Sequence, residues 1–236
     1  WKREQLREIA KLALARGFYV ISDEIYEKLI YDGEQHTSIA SFGEAIYNQT
    51  IVINGVSKAY AMTGWRIGYA AAPQHIAKVM SSLQSQVASG SDALAQYACV
   101  EALPSFKGVT AVENMRQQYD RRRKYMVSRL NAMEGVHCNM PKGAFYAMMD
   151  ISDLFGKYYG YVQVNDSMTF AELLLENADV AVVPGSAFCS EGFCRLSYAT
   201  SLENIQRGLV RIAAFVDAMT DEPQELLMNL PADQHE

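Results

Sequence analysis

Three short apolar runs early in the chain, at residues 18–22, 50–54 and 67–72, constrain the fold more than any other feature. Runs of this length bounded by Gly, Asn and Pro read as buried strands rather than helices. Between and around them the apolar period changes to that of a helix. Leu6, Ile9, Ala10 and Ala13 share one helical face, and Gly17 is read as its stop. Helical spacing returns over 74–84 and 92–103. Strands that alternate with helices, and that are apolar throughout, predict an α/β layer with a mainly parallel sheet flanked by helices.

After Pro104 the pattern changes. A long helix is expected over about 109–133, and its Arg121-Arg122-Arg123-Lys124 run reads as a solvated face, with Glu113 and Asp120 nearby. Short strands are expected at 144–150, 180–183 and 194–198, with helices over 169–178 and 202–219. This second pattern predicts a smaller α+β domain. The expected division is therefore 1–108, the α/β part; 109–220, the small domain with its connecting helix; and 221–236, a tail with a weak helical patch. The chain opens in mid-helix, and its α/β part holds three strands where a typical sheet has about five or six. On that pattern the chain is expected to be a piece of a longer protein.

Charge and cysteine usage exclude several functions. With 21 basic and 27 acidic residues the net charge is −6, which argues against binding a phosphate backbone. No apolar run is long enough for a membrane span, and Trp1-Lys2-Arg3-Glu4 is neither a signal nor a transit peptide. Cys99, Cys138, Cys189 and Cys194 form no CxxC pair and read as the reduced thiols of a cytoplasmic protein. The four histidines, His36, His75, His137 and His235, show no ligand spacing with Cys, Asp or Glu, so no metal is expected.

The densest chemical signal is Gly55-Val56-Ser57-Lys58-Ala59-Tyr60-Ala61-Met62-Thr63-Gly64-Trp65-Arg66-Ile67-Gly68. A lysine follows a buried strand among small residues that let backbone and ligand approach closely. A lysine amine kept partly from water is a Schiff-base nucleophile and a proton carrier. Eight residues on, Arg66 offers paired donors to a phosphate. By residue type alone, a surface Lys and Arg flanking a turn remain an alternative. A second signal is Ser22-Asp23-Glu24-Ile25-Tyr26, at the carboxyl end of the first strand, where α/β sheets bind ligands. Its alternative is a capping Asp with a packing Tyr. The third is Cys194-Arg195-Leu196-Ser197-Tyr198, after Pro184-Gly185-Ser186-Ala187-Phe188. Arg195 there could instead pair with Glu191 or Glu203.

Taken as strings, these stretches resemble the class I aminotransferases, the aspartate aminotransferase family of fold type I. Gly55, Ser57, Lys58, Ala61, Met62, Gly64, Arg66, Ile67 and Gly68 fill the pyridoxal-phosphate attachment signature of that family. Asp23 and Tyr26 match its Asp-x-x-Tyr, and Arg195 matches its Arg-Leu-Ser-Tyr string. Pro141 to Tyr146 resembles its small-domain strand entry, and Ser85 to Gln96 resembles a segment that reaches a neighbouring subunit.

The resemblance implies a pyridoxal-phosphate enzyme moving an amino group between an amino acid, aspartate or an aromatic one, and a 2-oxo acid. It implies that Lys58 bonds the cofactor and shuttles the proton. Asp23 pairs with the ring nitrogen and Tyr26 with the ring oxygen. Arg66, with Ser57 as a further candidate, binds the phosphate, and Arg195 grips the substrate α-carboxylate. One departure is Gly55, which stands where some branches have a phosphate-binding serine. A cytoplasmic homodimer is implied as well. Relatives carry a substantial segment ahead of the residue matching Trp1, with a Gly-rich phosphate cup and a ring stacked on the cofactor. The isolated chain is therefore expected to be the inactive carboxyl-terminal part. Two other functions fit the same motifs: a carbon–sulfur β-lyase or related elimination enzyme, and an inactive binding or regulatory module on the same fold.

Overall fold

The computed structural model describes residues 1–103 and 105–224. The chain forms two compact units. The first holds Trp1–Gln118 with Lys142–Ala144; the second holds Tyr119–Pro141 and continues from Phe145 to the end of the described residues.

In the first unit, helix α1 (Arg3–Arg16) ends where Gly17 turns left-handed at φ 69°. Its Ala10 and Ala13 are buried against Ile39 and Ile46, with Leu6, Ile9, Val20 and Phe42 packed around them. Ile46 belongs to a single helical turn, α2 (Glu44–Tyr47). Strands β1 (Val20–Asp23), β2 (Thr50–Gly55) and β3 (Gly68–Ala71) make one sheet in the order β1-β2-β3. β1 runs parallel to β2 with Val20 against Thr50 and Asp23 against Ile53; β3 runs antiparallel. The α/β class expected from the sequence is met with one parallel pair and one antiparallel neighbour.

Full burial of these strands is not what the structure shows. β1 alternates half-buried and exposed, with Ile21 71% exposed, and β3 is exposed along its whole length. The apolar runs are genuine strands, but alternate residues of β1 and the whole of β3 meet solvent, while β2 between them has no exposed residue. Helices α3 (Gln74–Ala88) and α4 (Ala93–Ala102) follow, and α3 buries none of its side chains. Residues 142–144 return to this unit. Ala144 N donates to Leu29 O at 2.9 Å, Tyr31 N to Lys142 O at 3.1 Å, and the Tyr31 hydroxyl to Ala144 O at 2.5 Å.

Helix α5 (Phe106–Leu130) begins in the first unit and ends in the second. Strands β4 (His137–Cys138), β5 (Tyr146–Asp150), β8 (Val183–Pro184) and β9 (Phe193–Ser197) form an antiparallel sheet in the order β4-β5-β9-β8. A small hairpin, β6 (Tyr158–Tyr159) and β7 (Val162–Gln163), stands apart from it. Helix α6 (Ser167–Ala178) is capped by Asp166, which accepts from Thr169 N at 2.7 Å. Helix α7 (Leu202–Asp217) is capped by Ser201. α7 buries Ile205, Leu209, Ile212 and Val216 along one stripe, and its Phe215 stacks on Tyr159 with centroids 4.3 Å apart. The helical patch expected in the tail lies outside the described residues.

One reading of the basic run is overturned. Arg121 and Lys124 are exposed, but Arg123 is fully buried. Asp120, one turn earlier, takes two of its donors, and the Pro141 carbonyl takes another at 2.5 Å. A buried guanidinium needs such partners to offset its desolvation. Arg123→Ala should lower the unfolding free energy by about 3 kcal/mol, because carboxylate and carbonyl lose their partner. A urea melt would show this as a lower midpoint with unchanged slope.

Candidate active site

The sheet register decides which residues meet. Asp23 ends β1 opposite Ile53, and Glu24 N donates to Ile53 O at 2.8 Å. Two residues beyond Ile53, β2 ends at Gly55 and the chain enters the turn carrying Lys58. Asp23 and Lys58 thus stand at the same end of neighbouring parallel strands, where ligand sites of α/β sheets are found.

Residues 56–67 close on themselves between β2 and β3. Ala61 N donates to Lys58 O at 3.2 Å, Met62 N to Val56 O at 3.3 Å and Val56 N to Ile67 O at 3.4 Å. The closure needs glycine at 55: an added Cβ would lie 2.8 Å from Ile67 O and 3.1 Å from Gly68 Cα. Within the loop Ala61 and Arg66 both have φ 53°. Left-handed backbone at such residues is uncommon and clusters at functional sites. Arg66 is exposed and donates from Nη1 to Thr63 O at 2.9 Å. Lys58 and Ser57 are half-buried, and the Ser57 carbonyl accepts from Thr63 Oγ1 at 3.2 Å.

On the β1 side, the exposed Asp23 accepts from Ile25 N at 3.2 Å, and the half-buried Tyr26 follows. Asp23 and Tyr26 help to line a cavity of about 390 Å³. Sequence reasoning missed the buried Glu24 beneath this turn. Glu24 accepts from Ser22 Oγ at 3.0 Å and pairs with His36 Nε2 at 2.8 Å. Glu27 completes a group whose ligand atoms all lie within 4.8 Å of one another. His36 is twelve residues from Glu24, so only the fold reveals the pair.

Arg195 lies in the second unit, half-buried in the middle of β9 between Met148 of β5 and Val183 of β8. The ring faces of Tyr146 and Phe188 each lie 4.4 Å from its guanidinium carbon. Of the acids that could have paired with it, Glu191 turns instead to Ser167 N at 2.6 Å. The aromatic contacts were not foreseen, although Tyr146 lies two residues before the cross-strand partner of Arg195 and so shares its face.

The donor set suits pyridoxal phosphate. An amine matches the aldehyde, a carboxylate the ring nitrogen, a phenol the ring oxygen and a guanidinium the phosphate. The close backbone approach at Gly55 leaves no room for a side chain beside the lysine turn.

Comparison with known proteins gives the family. The model of the family described as Aminotransferase class I and II matches residues 1–212. The chain belongs to that family. It is 44% identical over 216 residues to an aspartate aminotransferase of Bacillus sp. (strain YM-2), covering 92% of this chain and 54% of that protein. An aspartate/prephenate aminotransferase of Thermus thermophilus is 43% identical over 214 residues, covering 90% and 52%. The crystal structure of an aromatic aminotransferase from Pyrococcus horikoshii superposes with a TM-score of 0.85 at 42% identity, covering 92% and 56%. The aspartate aminotransferase from Rhizobium meliloti gives 0.89 at 37%, covering 93% and 55%. The chain spans about half the length of the relatives it matches. Members of the family use pyridoxal phosphate. Among the described residues no helix is long and apolar enough to cross a membrane.

Two chemical expectations follow around Arg195. Burial, with the Glu191 charge behind it, pushes the Cys194 thiol up to about 12. Cys194 therefore stays protonated and unreactive at pH 8, whereas Cys189 is exposed. Iodoacetamide followed by mass spectrometry should label Cys189 and spare Cys194 in the native protein. Glu191 is held below the ordinary glutamate range by its hydrogen bonds from Ser167. A depressed carboxylate stabilises while ionised, and that contribution is lost as pH falls through and below the ordinary range. Glu191→Gln should flatten the acid limb of the stability curve relative to the wild type, as read by thermal melts at successive pH values.

Proposed function

We propose that this chain supplies the central groups of a pyridoxal-phosphate-dependent aminotransferase that moves an amino group between an amino acid and a 2-oxo acid. The observation that carries the reading is the placement of the Lys58–Arg66 loop and the Asp23–Tyr26 turn at one end of adjacent parallel strands, in a member of this family. The aspartate, prephenate and aromatic names of the relatives point to dicarboxylic and aromatic amino acids as the substrate class.

Pyridoxal phosphate, when bound, supplies an electron sink conjugated to the substrate nitrogen. The chain's own residues do the rest. Lys58 would hold the cofactor by its aldehyde, and its amine would move the proton at the substrate Cα. Asp23 holds a proton at the ring nitrogen by charge pairing. Tyr26 donates to the ring oxygen. Arg66, with Ser57 beside Lys58, binds the phosphate. Arg195 takes the substrate α-carboxylate through its paired donors.

The same reading divides the chain at about residue 108 into a cofactor-binding part and a small substrate-binding domain. It makes the protein a cytoplasmic homodimer. Buried free thiols at Cys99, Cys138 and Cys194 fit a reducing compartment. The exposed Val79, Leu83 and Val87 stripe of α3 fits a second copy. For the 236-residue chain alone, turnover should lie about 100-fold or more below that of a complete relative, because reacting groups held on one side lose near-attack geometry.

The test uses the protein that carries this sequence. After incubation with pyridoxal phosphate and reduction with borohydride, peptide mapping should find the label on Lys58. A label on Lys2, Lys11, Lys28 or Lys78 with none on Lys58 overturns the assignment. Asp23→Asn should keep the cofactor and lose most of the activity, with Asp23→Glu less harmed. Arg195→Lys should lower kcat/KM by about 10- to 1000-fold for amino acids and leave amines without a carboxylate nearly unchanged. Release of pyruvate and ammonia, in place of amino-group transfer to an oxo acid, would identify a β-lyase instead.

A further inference from the structure

We infer that Phe188 and Tyr146 are positioning residues that hold the Arg195 guanidinium by its charge and leave its N–H groups for a carboxylate. The inference rests on the reading of Arg195 given above.

The two rings reach Arg195 from opposite flanks of β9. Tyr146 lies on β5, whose Met148 is the cross-strand partner of Arg195. Phe188 ends the short turn Gly185–Phe188 that follows β8, whose Val183 is the partner on the other side. Each ring centroid is 4.4 Å from the guanidinium carbon, well within the range of cation–π attraction. A ring face attracts positive charge but does not use an N–H donor as a carboxylate or carbonyl oxygen would. Among the described residues, the contacts of the Arg195 side chain are these two rings, with no hydrogen bond or salt bridge beside them. The rings thus fix a long side chain that would otherwise lose rotamer freedom on binding, and they do so without occupying its donors.

The loop that carries Phe188 is itself closely specified. A Cβ on Gly185 would lie 2.0 Å from Ser190 O and 2.4 Å from Phe193 O, so only glycine lets the turn fold back over β9. Ser190 N donates to Gly185 O at 3.0 Å. The buried Ser167 takes Ser186 N on its hydroxyl at 3.1 Å and gives its own N–H to Glu191 at 2.6 Å. Cys189, immediately after Phe188, caps the turn in left-handed geometry at φ 53°. Phe188 itself is 40% exposed, so it contributes little to the core. Its placement against Arg195 is what this backbone network achieves.

The test reads Arg195 directly. In the ¹⁵N-labelled protein its Nε–Hε signal is assigned by its disappearance in Arg195→Lys. Exchange of that proton with water should be about tenfold faster in Phe188→Leu and in Tyr146→Leu, with the signal moving toward those of exposed arginines. Tyr146→Phe keeps the ring and should match the wild type. Backbone spectra of each variant report its folding, and the half-exposed Phe188 makes its leucine variant the safer of the two. Wild-type behaviour in both leucine variants overturns the inference. Titration with maleate should then shift the wild-type Arg195 signal and require about tenfold more maleate in Phe188→Leu. A wild-type signal that ignores maleate while its exchange stays ring-dependent overturns the carboxylate reading of Arg195 and leaves the clamp standing, so the two failures are told apart.

Discussion

The parallel register of β1 and β2 fixes which chemistry can be assembled in the first unit. Pairing Asp23 with Ile53 brings the turn after β1 and the turn after β2 to one end of the sheet. A slip of one residue would reverse the faces of β1 and move Asp23 to the other side of the sheet. The backbone bond from Glu24 N to Ile53 O continues the ladder past the last strand residue, so the Asp23 turn is tied to β2. Gly55 then lets β2 and the start of β3 approach closely enough to close the lysine loop. Neither device depends on a long-range charge pair. Both are backbone geometry, which is rigid and insensitive to salt.

The second unit solves a different problem. An arginine within a sheet tends to pair with the nearest acid, and Glu191 is close in sequence. The structure gives Glu191 to Ser167 and gives Arg195 two rings. Arg123 shows the opposite arrangement in the same unit: buried completely, it gives donors to Asp120 and Pro141 O. One guanidinium is structural because its donors are taken, and the other is suited to binding because its contacts are aromatic.

The legibility of this fold follows from distance along the chain. Strand and helix identities were readable because apolar period is local, and most expected elements appear within a few residues of their expected places. The lysine loop, the Asp-x-x-Tyr turn and the Arg-Leu-Ser-Tyr strand were readable as strings. What the sequence did not reveal depends on pairing. Tyr146 and Arg195 meet only through the β5–β9 register. Glu24 and His36 meet only once the chain has turned. The charge of Arg123 looked solvated because three basic neighbours surround it, and only packing shows that its helix face turns inward. The two-residue strands β4, β6, β7 and β8 are too short to carry a period. The exposure of Ile21 and β3 was also illegible, since an apolar strand looks the same whether or not it is covered.

Residues 142–144 have a consequence for the chain's connectivity. Because Lys142–Ala144 belongs to the first unit while its flanks belong to the second, the backbone passes between the units three times, after Gln118, after Pro141 and after Ala144. Neither unit can be excised as one contiguous stretch. A single nick in any one passage leaves the halves joined by the other two or by the hydrogen bonds that seat the tripeptide on Leu29 and Tyr31. No single cut in the backbone therefore yields two pieces that each hold one unit whole and nothing of the other.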